Sequence, residues 1–247
     1  MATTLIYERL AASGATGVLL RPGGLALTER ALSFCSFSPG ARILDVGCGA
    51  GGTVEYLISR HRLRAVGVDP SAVLLEYGRR RGEGLPLVLA AGEDLPFADS
   101  EWDGVFVECS LSVANSADRV LGECARVLTE GGRLMLSDLY IRAASGAAKD
   151  CCLPSSSGNR GIMTREELTV KLKSHGLEVM LWEDESRALK EFVAQLILSP
   201  GSAESHFWCP VDQVKGPGGE SPTTFELIAR AKPGYFLCVA QKSAHHS

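Results

Sequence analysis

The stretch Asp45-Val46-Gly47-Cys48-Gly49-Ala50-Gly51-Gly52 places glycines in the pattern G-x-G-x-x-G at Gly47, Gly49 and Gly52. Glycines so spaced permit a tight turn and let a ligand approach the backbone closely, as adenosine-containing ligands require. The pattern alone does not choose between a dinucleotide and another adenosine ligand. Asp45 favours the second, because a carboxylate two residues before the first glycine repels a pyrophosphate and attracts an ammonium group. Asp69, which closes the apolar run from Arg64 to Val68, is suited to accept hydrogen bonds from ribose hydroxyls, a feature that both ligand kinds use. Two further acids follow later apolar runs, Glu108 in Glu108-Cys109-Ser110 and Asp138 in Ser137-Asp138-Leu139-Tyr140. Both are candidate catalytic groups. The alternative for Asp138 is a structural bond to loop backbone.

These residues need a scaffold that brings them together, and the hydrophobic pattern supplies one. Short apolar runs at 41–46, 64–68, 86–90, 104–108 and 133–137 read as strands. Helical segments at Thr53–Arg60, Ser71 to about Arg80, and Ala117–Leu128 alternate with them. Ser71 is a good N-cap, and Glu130-Gly131-Gly132 reads as a turn. Further on, Thr164 and Glu167 form a capping box that opens a helix to about His175, and Gly176 stops it. Glu178–Trp182 is a sixth strand, Ser186–Leu198 a helix, Phe225–Ala231 a short helix, and Tyr235–Gln241 the last strand. Alternating strands and helices imply a mostly parallel sheet with helices on both faces, and ligands then bind beyond the carboxyl ends of the strands. Asp45, Asp69, Glu108 and Asp138 all fall at such ends.

Composition narrows the partners. The chain of 247 residues carries a formal net charge of −4. Its one basic cluster, Arg79-Arg80-Arg81, suits a helix C-terminus better than a nucleic-acid stripe, so a nucleic-acid partner is not favoured. Glu8 and Arg9 stand where a signal peptide would be apolar, and no apolar run approaches a membrane span. The expected location is cytoplasmic, with the eight cysteines as thiols lacking paired zinc spacing. No metal site is expected, since His245-His246 has no further ligands beside it.

Taken in order, DVGCGAGG, GVDPS, EDLPF and EGGRLMLSDLY resemble the motif series of class I S-adenosylmethionine-dependent methyltransferases, in particular the group that includes quinone and sterol C-methyltransferases. The resemblance covers residues 41–140 well, and 164–182 with 233–242 as a sixth and a final strand. It implies a three-layer Rossmann-like α/β fold with a seven-stranded sheet, mostly parallel with an antiparallel last strand. It implies a methyltransferase domain at 41–247 behind an N-terminal cap at 1–40, with substrate-side insertions near 141–163 and 186–232. It implies S-adenosyl-L-methionine as cofactor, held by Asp45, Gly47, Cys48, Gly49, Asp69, Pro70, Gly92, Glu93 and Glu108, and a small-molecule methyl acceptor. One departure touches the adenine end: Ala91 stands where many relatives carry an aspartate.

Methyl transfer from a sulfonium is an in-line displacement in which the protein mainly aligns the acceptor, and a base is needed only when the nucleophile must lose a proton. Glu108, Asp138, Tyr140 and His206 are the groups near the strand ends that qualify. Arg21 is a candidate partner for a carboxylate of cofactor or acceptor, with a surface position as its default. Phe207-Trp208 is a candidate apolar wall, and His175 a C-terminal dipole partner. Cys151-Cys152, with Cys35 and Cys209, resembles loosely the thiol set of arsenite methyltransferases; incidental thiols are the simpler reading. A non-catalytic cofactor-binding protein and a nicotinamide-dependent oxidoreductase are the remaining alternatives.

Overall fold

The computed structural model describes residues 21–82, 84–142, 162–198 and 233–244. Helix α1 (Gly24–Cys35) leads into a regular alternation: β1 (Arg42–Val46), α2 (Gly52–His61), β2 (Arg64–Asp69), α3 (Ala72–Arg81), β3 (Leu87–Leu89) and β4 (Trp102–Glu108). There follow α4 (Ala117–Val127), β5 (Leu128–Ile141), the two-residue β6 (Met163–Thr164), α5 (Arg165–Ser174), β7 (Leu177–Asp184), α6 (Ser186–Leu198) and β8 (Gly234–Lys242). The main path of the sheet has the order β3-β2-β1-β4-β5-β8-β7, and β6 pairs with β5. Only β8 runs against its neighbours, pairing antiparallel with β5 and β7. This is the α/β architecture expected, with the short β6 added.

Local chemistry explains the boundaries. The Ser71 hydroxyl accepts from Leu74 N–H and opens α3, and the Ser116 hydroxyl does the same for α4 with Arg119 N–H. Thr164 and Glu167 form the reciprocal capping box that starts α5. The expected turn at Glu130–Gly132 lies within β5: pairing with β4 jumps from Leu128 to Arg133, and Gly131 sits at φ 74°. That local kink absorbs the turn while the strand continues on either side.

Both faces of the sheet are covered. Ile43, Ala65, Phe106 and Met135 pack against α1, α2 and α3, whereas Leu44, Val68, Val105, Val107, Leu134 and Leu136 pack against α4 and α5. Strand side chains alternate between faces. Asp45 therefore shares the face of Ile43, Asp69 that of Ala65, and Glu108 that of Phe106. Asp138 instead shares the α4 face with Leu134 and Leu136. The strand order reverses between β1 and β4, the place where doubly wound sheets open a crevice at their carboxyl ends.

Candidate active site

The glycine loop is pinned to β2. Gly47 and Cys48 N–H both donate to the Val68 carbonyl, at 2.8 and 3.0 Å. Gly47 (φ 79°) and Gly49 (φ 55°) take left-handed conformations that disfavour side chains. A Cβ on Gly47 would stand 2.3 Å from the Ser110 Cβ, so the loop and the segment after β4 touch through this glycine. The Cys48 thiol turns back toward β2, where a Cβ on Gly67 would meet it at 2.6 Å. Gly49 N–H donates to Asp69 Oδ2 at 2.9 Å, and Ser71 N–H donates to Asp69 Oδ1 at 2.8 Å. Asp69 is thus held against the loop at the end of β2, with Pro70 exposed beside it.

Behind the loop lies a buried polar cluster. Arg21 is not a surface residue: its side chain is 9 % exposed and pairs with Glu108 at 2.9 Å. Arg21 also donates to the hydroxyls of Thr53 (3.0 Å) and Thr28 (2.7 Å). Those hydroxyls in turn donate to Glu108, Thr28 to Oε1 at 3.0 Å and Thr53 to Oε2 at 3.1 Å. Each threonine therefore relays between cation and anion, and both Glu108 oxygens are engaged. Asp45 lies in the same charged neighbourhood. It is buried, and among the described residues no hydrogen bond reaches its carboxylate. Burial first, then the charges of Glu108 and Asp69, push Asp45 well above the ordinary carboxylate range, while Arg21 pulls the other way.

Thr28 and Thr53 escaped sequence reasoning, although a signal was present. Thr28 lies on the buried stripe of α1 with Leu27, Ala31 and Leu32, and a polar side chain on such a stripe needs a buried partner. Thr53 follows Gly52 at the start of α2 and is likewise buried.

The other candidate residues divide. Asp138 is buried on the α4 side, where Oδ2 accepts from Ser112 N–H (2.9 Å) and Oδ1 from Leu139 N–H (2.7 Å). Burial raises its carboxyl and these donors oppose the rise. Glu93 Oε1 accepts from Asn115 and Ser116 N–H at 2.8 and 3.2 Å, which ties the loop after β3 to the start of α4. Gly92 packs where a Cβ would stand 2.8 Å from Val46, so a side chain there would push the loop away. The Tyr140 hydroxyl donates to Asp184 at 2.8 Å. His175 caps the end of α5 and its ring lies 3.4 Å from Asp118.

Near the carboxyl ends of β4 and β5 and the start of β8 the described residues are mostly apolar. Leu27, Leu139, Leu189 and Tyr235 form one cluster, with Cys109, Ile162 and Val193 against it. Cys109 holds a left-handed φ of 54°, uncommon for a side-chain-bearing residue, and its N–H donates to the Ser137 carbonyl. Its thiol lies 3.2 Å from the Tyr235 hydroxyl, which is 3.4 Å from the Ser137 hydroxyl. Burial holds both thiol and phenol in their neutral forms.

A sequence-family model described as "Methyltransferase domain" matches residues 44–136, the span from β1 into β5 that carries this site. The protein named Uncharacterized methyltransferase YodH of Bacillus subtilis is 36% identical over 176 residues, 69% of this chain and 73% of that protein. The chain belongs to the class I S-adenosylmethionine-dependent methyltransferases. Methyltransferase GfsG of Streptomyces halstedii is 34% identical over 129 residues, 50% of this chain and 46% of its own length. The chain spans about half the length of several of the curated relatives it matches. Among solved structures, the [4+2]-cyclase SpnF has the same fold, with a TM-score of 0.70 at 22% identity over 98% of this chain and 93% of that one.

The family's cofactor fits the buried cluster on one observation. Asp45 is a buried residue whose carboxylate receives no hydrogen bond among the described residues, and Arg21 Nε is a fully buried donor without an acceptor. The methionine end of S-adenosylmethionine brings one ammonium and one carboxylate, which complement that pair. The adenine end lacks a carboxylate at Ala91, and Glu93 Oε1 is engaged with Asn115 and Ser116 N–H at the start of α4. Cys151, Cys152, Cys209, His206, Phe207, Trp208, His245, His246 and the helix expected at 225–231 lie outside the described residues. Burial raises the Cys35 thiol to about 11. Among the described residues no group of three or more His, Cys, Asp or Glu side chains is placed to hold a metal ion, and no helix is long and apolar enough to cross a membrane.

Proposed function

We propose that the chain transfers the methyl group of S-adenosylmethionine to a small-molecule acceptor that approaches from the apolar end of β4, β5 and β8. The Asp45 carboxylate without a donor and the Arg21 Nε without an acceptor carry the cofactor half of this reading. The cluster of Leu27, Leu139, Leu189 and Tyr235 supports the acceptor half, since apolar walls with few polar groups suit a small organic molecule. When bound, the cofactor supplies an electrophilic methyl group on a sulfonium.

The chain's own residues then orient and enclose. Asp45 receives the ammonium, Arg21 the carboxylate, and Asp69 the ribose hydroxyls. Gly47 and Gly49 let the backbone approach. Glu108 acts through Arg21 and the two threonines as a positioning residue. Asp138 holds the turn at Leu111–Val113 and so sets where Cys109 and Ser110 stand. Alignment of the acceptor, with no ionised base demanded of these two acids, is the main contribution.

Two measurements test the reading. Thermal shift with S-adenosylmethionine, S-adenosylhomocysteine and NAD should show stabilisation by the first two, and stabilisation by NAD alone would overturn the cofactor assignment. A radiolabelled methyl-transfer screen against fractionated small-molecule extracts should yield a labelled product. Label found only in protein or nucleic acid would reject the small-molecule acceptor.

A further inference from the structure

Three carboxylates and one guanidinium share the buried face behind the glycine loop: Asp45 on β1, Asp69 on β2, Glu108 on β4, and Arg21 ahead of α1. Their partners are unequally divided. Glu108 takes Arg21, Thr28 and Thr53; Asp69 takes the N–H groups of Gly49 and Ser71; Asp45 takes no donor among the described residues. An unpaired buried anion is costly, and the usual escape is to bind a proton. A carboxylate with several donors stays ionised, so the proton falls on the one without. Arg21 relieves Asp45 only in part, because two of its guanidinium nitrogens are already committed to Glu108 and the threonine hydroxyls.

We propose that Glu108 sets the protonation of Asp45, so that the free protein holds Asp45 as the neutral acid and the cofactor enters by exchanging that proton for its own ammonium group. This rests on the cofactor assignment above. The bond broken is the O–H of the Asp45 carboxylic acid, and its proton goes to the buffer. The ligand ammonium keeps its three hydrogens and faces the carboxylate left behind. Glu108 needs no contact with the ligand to do this; its negative charge, locked by Arg21 and the threonines, penalises a second anion beside it. The charged and titratable groups facing Asp45 are Glu108, Asp69 and Arg21, with the Cys48 thiol on its own loop. S-adenosylhomocysteine carries the same amino-acid end and undergoes the same exchange.

Calorimetric titration of the full chain with S-adenosylhomocysteine tests this, in buffers of different ionisation enthalpy from about pH 5.5 to pH 9, a range that starts above ordinary carboxylate titration. Release of close to one proton per ligand is expected at the acid end, falling toward none at the alkaline end. The affinity should tighten by about tenfold per pH unit while Asp45 is protonated. Glu108→Gln, which also loosens Arg21, should bind more weakly and release far less proton per ligand bound at neutral pH, while Glu108→Asp should restore release. Binding without proton release anywhere in the range, or equal release from wild type and E108Q, would overturn the proposal. An absence of binding heat with either cofactor form would overturn the cofactor assignment instead. Infrared difference spectra of the wild type supply a readout that needs no Glu108 variant. A protonated-carboxyl band should vanish on ligand addition and be missing from Asp45→Asn, and its persistence with ligand bound would equally overturn the proposal.

Discussion

Replacing Gly47 by alanine separates backbone strain from contact across the loop. At φ 79° any side-chain-bearing residue costs about 1–2 kcal/mol. The new Cβ would also stand 2.3 Å from Ser110 Cβ and 2.6 Å from its Oγ, distances at which something must move. Ser110 cannot yield freely, because its hydroxyl donates to the Val46 carbonyl at 2.8 Å. Overpacking of this kind costs about 1–3 kcal/mol. The sum is about 2–5 kcal/mol, which at about 2–4 °C per kcal/mol for a domain of this size lowers Tm by roughly 4–20 °C. Gly49→Ala is the control: φ 55° brings similar strain, but nothing lies within 4 Å of the new Cβ. It should lose only about 1–2 kcal/mol. Urea unfolding of both variants, with calorimetric binding of S-adenosylhomocysteine, reads the difference. In Gly47→Ala/Ser110→Gly the contact is relieved, and about 1–3 kcal/mol should return. Equal losses in the two single variants, or no recovery in the double variant, would refute the argument that Ser110 confines this loop.

Asp69→Ala removes a carboxylate that anchors Gly49 and Ser71 and faces the ribose. At about 1.5–3 kcal/mol for hydrogen bonds to a charged group, S-adenosylmethionine binding should weaken by about 10–150-fold, and an unchanged Kd in calorimetry would reject the role. The unliganded protein should also lose stability both as pH falls through the ordinary carboxylate range and as it rises from that range to about 8. Glu29, Asp118, Glu123 and Asp184 are held below the ordinary carboxylate range by their partners, so the stability they contribute disappears as acid protonates them. Asp45 and Asp138 are raised by burial, so their contribution is full below the ordinary carboxylate range and is lost as pH rises from there to their folded values, because the unfolded chain gives up a proton that the fold retains. That loss is about 1.4 kcal/mol for each pH unit over which one of them is protonated in the fold and ionised in the unfolded chain. Urea unfolding across pH should show Asp45→Asn flattening the limb that falls from the ordinary carboxylate range up to about pH 8, and that limb alone; an unchanged limb would show that Asp45 is not the group responsible.

The order of strands and helices and the cofactor loop were legible in the chain itself. Glycine spacing, apolar alternation and capping residues act over a few positions, and their physics is local. Asp45, Gly47, Gly49 and Asp69 were therefore found where the strands end. The division of labour among the acids was not legible, because it depends on which face of the sheet each side chain takes and on what the next element brings against it. Glu108 closes β4 whereas Asp138, expected just past a strand end, lies inside β5, and alternation within the two strands sends them to opposite faces. Asp138 thus meets Ser112 and Leu139, and Glu108 meets Arg21.

Arg21 shows the same limit from the other side. Alone in the chain it reads as a surface cation; only the packing of α1 against the ends of β5 and β8, and the two threonine hydroxyls at Thr28 and Thr53, make its burial tolerable. The residue types that can bind an adenosine ligand are written in the sequence. Which carboxylate is left without a donor, and so carries the proton, is decided by long-range packing, since that depends on partners up to 87 positions away along the chain, the separation of Arg21 from Glu108.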